Sequence, residues 1–126
     1  MEFMLAPDIQ IKLIQLIKAL EFAHINPKGI FAFRSSGSRS RARARIWALP
    51  RIWQIALKVS PGYCIEILSE KFDHLSTKDQ TRILIHELMH IPKTFSGALL
   101  PHRGRGKVRI DRRTVEKLFK LFKKLS

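Results

Sequence analysis

From Pro7-Asp8, a helix-start pair, apolar residues recur at Ile9, Leu13, Leu16, Ile17 and Leu20. These offsets follow the 3.6-residue period, so residues 8–23 are predicted as an amphipathic helix. Asn26-Pro27-Lys28-Gly29 breaks the pattern as a turn, and residues 30–33, apolar and aromatic, read as a strand. After a Ser/Gly loop at 35–38, Arg39, Arg41, Arg43 and Arg45 alternate with Ser40, Ala42, Ala44 and Ile46. A period of two sets all four guanidiniums on one face of a strand, whereas a helix scatters them. A strand is therefore predicted here, running on into Ile46-Trp47. Beyond Pro50, residues 52–59 read as a second strand, and Pro61-Gly62 as a hairpin turn into a third over 63–69. Trp47 and Trp53 then fall on apolar strands, where core packing is expected.

The period returns to 3.6 further on. Ser76 followed three residues later by Asp79 has the form of a capping box, predicting a helix over 77–91 that Pro92 closes. Residues 93–110, with Gly97, Pro101, Gly104 and Gly106, read as irregular. Residues 114–125 form a last helix, basic on one face, with Val115, Leu118, Phe119 and Phe122 on the other. Strands and helices in this mixture predict an α+β fold, and no linker divides residues 1–126, so one domain is expected.

Composition adds a strong bias. Of 126 residues, 24 are Lys or Arg and 10 are Asp or Glu, a formal charge of +14. Residues 22–65 hold eight basic residues and no acid, and residues 93–126 hold eleven basic residues against Asp111 and Glu116. Such a field draws in polyanions or acidic surfaces. DNA or RNA association through Arg39, Arg41, Arg43 and Arg45 is one expectation, although no recognised nucleic-acid motif accompanies them. Cys64 is the single cysteine, which excludes an internal disulfide and a Cys-rich zinc ribbon. No apolar run approaches the ~18 residues of a membrane span, and residues 1–5 lack a signal-peptide pattern, so a cytoplasmic location is expected.

The chemistry lies between the two basic blocks. His86-Glu87-Leu88-Met89-His90 is an H-E-x-x-H string, which on a helix sets two imidazoles one turn apart on one face with a carboxylate beside them. Between 83 and 91 every other residue is apolar, so this is a buried helix with one polar stripe. Burying two His and a Glu without partners costs several kcal/mol, and a metal ion with its water satisfies all three. Catalytic Zn2+ takes three protein ligands and keeps one position open. His102, twelve residues past His90 across a Gly- and Pro-containing loop, is the first candidate for the third, with Glu116 and Asp111 as rivals. His24 and His74 are read as structural or surface residues. Glu87 is the candidate general base. Tyr63 or an arginine is a candidate oxyanion donor, although no spacing selects one. A peptide can add as a strand to a free edge within 42–69. The competing readings are a zinc hydrolase acting on nucleic acid and a non-catalytic basic module with a structural metal.

The string from Ile85 to His102, the Arg/Ser/Ala stretch with its Ile-Trp pairs, and Glu66-Ile67-Leu68-Ser69-Glu70-Lys71-Phe72 resemble the family of putative phage metallopeptidases over roughly residues 30–105. The resemblance implies a minimal zincin: an N-terminal helix, a small mostly antiparallel sheet, the metal helix and a short segment with the third ligand. It implies His86, His90 and His102 as ligands of Zn2+ and Glu87 as general base, acting on a polypeptide substrate. More distantly, motif and charge are similar to SprT-like and Spartan-type proteases. Metzincins differ, since Lys93 and Ser96 stand where they carry Gly and their third His.

Overall fold

The computed structural model describes residues 1–102 and 109–125. Strand β1 (Glu2–Leu5) leads into helix α1 (Pro7–Ala19), and a short 3-10 turn at Pro27–Gly29 feeds β2 (Ile30–Ser36). There follow β3 (Ala44–Ala48), α2 (Arg51–Leu57), β4 (Tyr63–Leu68), the single-turn α3 (Ser69–Phe72), α4 (Thr77–Met89) and α5 (Arg112–Leu125). The sheet order is β1-β2-β4-β3, antiparallel at both ends and parallel between β2 and β4. The fold is α+β, with helices at both ends of the chain. Among the described residues no helix is long and apolar enough to cross a membrane.

Alternation along the strands explains the layering. Ile30 and Ala32 of β2 and Tyr63, Ile65 and Ile67 of β4 point to one face, where they form a core with Ile9, Leu13, Leu16 and Ile17 of α1, Leu84, Ile85 and Leu88 of α4, and Val115 and Phe119 of α5. Each such side chain withdrawn from water contributes about 1.5–3 kcal/mol. Gln10 pins α1 to β2, its amide donating to the Ile30 carbonyl at 2.7 Å and accepting from the Ala32 N–H at 2.8 Å. Arg34 binds Asp8 of α1 bidentately at 2.6 and 2.9 Å and reaches Asp73 beyond α3. The opposite face of the sheet carries Phe3, Phe31 and Trp47 exposed, with Phe33 half-buried between them.

Three sequence expectations give way. Residues 52–59 are not a strand: α2 starts after Pro50, whose fixed φ suits a helix N-terminus, and ends at Lys58 in the left-handed region at φ 55. The apolar run Ile52-Trp53 mimicked a strand, yet Gln54 is the only one of these helix residues that is buried. Consequently Pro61-Gly62 closes no hairpin. β3 and β4 still pair antiparallel, but α2 joins them.

The arginine alternation is also only partly a strand. β3 begins at Ala44, because β4 ends at Leu68, whose N–H donates to the Arg43 carbonyl at 3.0 Å, and then turns into α3. With no partner strand beyond that point, Ser38 and Ser40 hydroxyls accept the N–H groups of Ser40 and Ala42 instead. Finally, Trp47 and Trp53 are 52% and 55% exposed rather than packed in the core.

Candidate metal centre

Helix α4 opens with the Ser76 hydroxyl accepting from the Asp79 N–H at 3.1 Å, as the capping sequence requires. Burial of Leu84, Ile85 and Leu88 sets the rotation of the helix against the sheet. That rotation leaves His86 and His90 on one shared side, below β3. The chain reverses after His90 through Phe95 and Gly97, both at positive φ (47 and 93), and the Leu100 N–H donates to the His90 carbonyl at 2.7 Å. His102 is thereby returned over the helix.

The three imidazoles meet. His86 Nε2 stands 3.0 Å from His102 Nε2 and 3.4 Å from His90 Nε2, and one ligand atom from each ring lies within 4.8 Å of the others. At a Zn–N bond of about 2.05 Å, the edge of a tetrahedron is about 3.3 Å, close to both spacings. The His90 Nδ1–H donates to the Leu100 carbonyl, an oxygen that can only accept, which fixes the tautomer with a lone pair on Nε2. Burial, together with the neighbouring His90 and His102 rings, pushes His86 down to about 4, and burial lowers His90 as well. Both rings are therefore neutral at physiological pH, the form that binds metal.

Glu87 lies beside them, 7% exposed, with Oε2 buried and without a hydrogen-bond partner among the described residues. Burial pushes its carboxyl up to about 7. Three converging imidazole nitrogens stand beside the unpartnered carboxylate oxygen of Glu87, an arrangement that a divalent cation and its water would satisfy. The residues present thus fit a metal ion. A cleft of about 460 Å³ opens onto this cluster between Ala44, Arg45 and Ile46 of β3 and Leu99, Leu100 and Pro101.

The other candidates lie elsewhere. Glu116 is held by Arg82, at 2.9 Å, and Asp111 caps α5 by accepting from the Thr114 N–H, also at 2.9 Å. His24 packs edge-on against Phe22, and His74 is exposed on the loop between α3 and α4. Arg45 forms an ion pair with Glu66 at 2.8 Å, while Arg39, Arg41 and Arg43 are exposed in the loop before β3. The Tyr63 hydroxyl holds the loop that leads to His102 instead of facing the His cluster: it accepts from the Gly97 N–H at 2.9 Å and donates to the Ala98 carbonyl at 2.8 Å.

Sequence reasoning missed two buried polar anchors, of which one, Gln54, holds the loop that leads to His102. Gln54 donates to the carbonyls of Leu49 and Ser96, joining α2 to the same loop. Glu66, at the centre of β4, accepts from Arg45, Trp47 and Ser35. Each is a lone polar residue in an apolar run, and that isolation was the available signal.

Residues 1–123 match the family model described as Putative phage metallopeptidase. The chain belongs to this family. Membership makes it a metallopeptidase-family protein with a histidine cluster that can hold a metal ion. No curated protein and no solved structure matches it.

Proposed function

We propose that this protein is a zinc-dependent peptidase, with His86, His90 and His102 as the metal ligands and Glu87 as the general base. The observation that carries this reading is the meeting of three imidazole nitrogens beside the unpartnered Oε2 of Glu87. Family membership supports a polypeptide substrate. Three histidines, with no fourth Cys, His or carboxylate grouped with them among the described residues, favour a catalytic site over a closed structural one.

A bound Zn2+ supplies a Lewis acid that polarises a carbonyl oxygen and acidifies water. The chain's own residues do the rest. The Leu100 carbonyl holds the His90 ring in its ligating tautomer. Among the described residues β3 pairs only with β4, so its other edge can align a peptide by main-chain hydrogen bonds across the cleft. Glu87 takes a proton from water as the water oxygen attacks the scissile carbonyl carbon. It then delivers that proton to the amide nitrogen as the C–N bond breaks. The test is Glu87→Gln. We expect stoichiometric metal by elemental analysis and a fall in casein or peptide hydrolysis of at least about 10²-fold. Undiminished hydrolysis would exclude Glu87 as the base.

A second activity, association with single-stranded nucleic acid, is favoured by one observation: Phe3, Phe31 and Trp47 lie exposed on the helix-free face of a chain of charge +14. Aromatic platforms in a cationic field stack bases and neutralise phosphates. Binding to random-sequence oligonucleotides is expected to weaken steeply with salt and to drop on Trp47→Ala. Absence of binding at 50 mM salt would remove this activity and leave the peptidase reading intact.

A further inference from the structure

Beside the histidine cluster lies a second cleft, of about 690 Å³, between the loop before β3, α4 and the start of α5. Glu87 and His86 form its inner end, and Arg41, Arg43, Arg82 and Arg112 come to its walls from those three segments. Its two other acids are already engaged: Asp79 and Glu116 both pair with Arg82, at 2.9 Å each. Arg82 also lies over the Phe119 ring at 4.2 Å, so its guanidinium is fixed as part of the wall. Arg41, Arg43 and Arg112 have no carboxylate partner among the described residues. Three cations from two separate parts of the chain thus border one space, and their mutual repulsion is relieved when an anion enters it.

We infer that this cleft is a specificity subsite for an acidic side chain of the peptide substrate, on the C-terminal side of the scissile bond. The inference rests on the peptidase reading above. Direction follows from the sheet. A peptide added antiparallel to β3 runs towards the Arg41–Arg43 end of the strand as it passes the histidines, so its C-terminal half meets the arginines. A carboxylate matches the planar, two-pronged donor set of guanidinium, whereas an amide of the same size offers half the acceptors and no charge.

The experiment uses the zinc-loaded full chain and quenched fluorescent peptides that differ only in Glu or Gln immediately after the cleaved bond. A second pair carries the same change immediately before it. We expect kcat/KM for the Glu peptide to exceed that for the Gln peptide at least ten-fold in the first pair, and the two to differ less than three-fold in the second. The ratio in the first pair should fall at least five-fold in Arg43→Ala/Arg112→Ala and decline between 50 and 500 mM salt, as a charge contact requires. Lys117→Ala, on the exposed side of α5, should keep the parental ratio. Metal content and melting temperature of each variant show that it is folded. Cleavage without a Glu preference, or with a preference confined to the second pair, overturns the subsite and leaves the peptidase standing. If no peptide is cleaved but single-stranded DNA or RNA is, both the subsite and the peptidase reading fall.

Discussion

A buried carboxylate is expensive unless its oxygens are occupied, and Glu66 is 1% exposed on the opposite face of β4 from Ile65 and Ile67. Burial alone would raise its pKa, but the Arg45 guanidinium, the Ser35 hydroxyl and the Trp47 indole N–H together hold it below the ordinary 4.5. Because the folded value is the lower one, this stabilisation is fully present at neutral pH and is lost as pH falls through 4.5 towards the folded value. Glu66→Gln, which cannot titrate, should therefore flatten the acid limb of a stability-against-pH curve. At pH 7 it should cost about 1–3 kcal/mol, read from urea unfolding, because the Arg45 charge is left without its counter-ion. A variant curve parallel to the parent's below pH 5 would show that the acid sensitivity comes from other carboxylates, of which Asp8, held low by Arg34, is the first to examine.

At the scale of elements, the site depends on a loop more than on a helix. α4 presents His86 and His90 by its own periodicity, but His102 is returned by a segment that Tyr63, Gln54 and the His90 ring each hold through backbone groups. Gly97 is the residue that permits the turn: at φ 93 a Cβ would stand 2.3 Å from the Gln54 amide nitrogen and 2.5 Å from the Leu49 carbonyl oxygen. Tyr63→Phe removes the acceptor for Gly97 and the donor for Ala98 while keeping the buried ring. It should leave the far-ultraviolet spectrum unchanged and weaken zinc affinity about 10–100-fold, as loss of an outer support does at other metal sites. Competition with a chromophoric chelator measures this. An unchanged affinity would mean that the His90–Leu100 contacts suffice to hold His102.

For the molecule as a whole, a metal held by the histidine cluster would be linked to stability. The histidine cluster joins α4 to the segment entering α5, since the Ile110 N–H donates to the His102 carbonyl at 3.2 Å. An ion that binds the folded chain alone adds about 2.7 kcal/mol at a hundred-fold excess over Kd. For a chain of this length that is a rise in Tm on the order of 10 °C. Differential scanning should show the rise with Zn2+, its reversal by chelator and its absence in His90→Ala. A parent whose Tm is indifferent to both additions would argue against a metal bound in the folded state.

What the sequence determined by itself was local in range. The α1, α4 and α5 helices follow from apolar residues three and four apart, the α4 start from Ser76, and the pairing of His86 with His90 from one helical turn. His102 could be named as the first candidate ligand because a loop of that length can fold back. The tertiary structure alone decided what depends on partners distant in sequence. β1 is a strand only because β2 offers an edge, residues 39–42 lie outside the sheet because β4 ends, and α2 replaces a plausible strand because nothing pairs with it. The convergence of Arg41, Arg43 and Arg112 on one cleft, and the role of Tyr63 as a clamp, are likewise set by packing. Periodicity encodes which face of an element is buried, but it carries no information on which other element lies against that face.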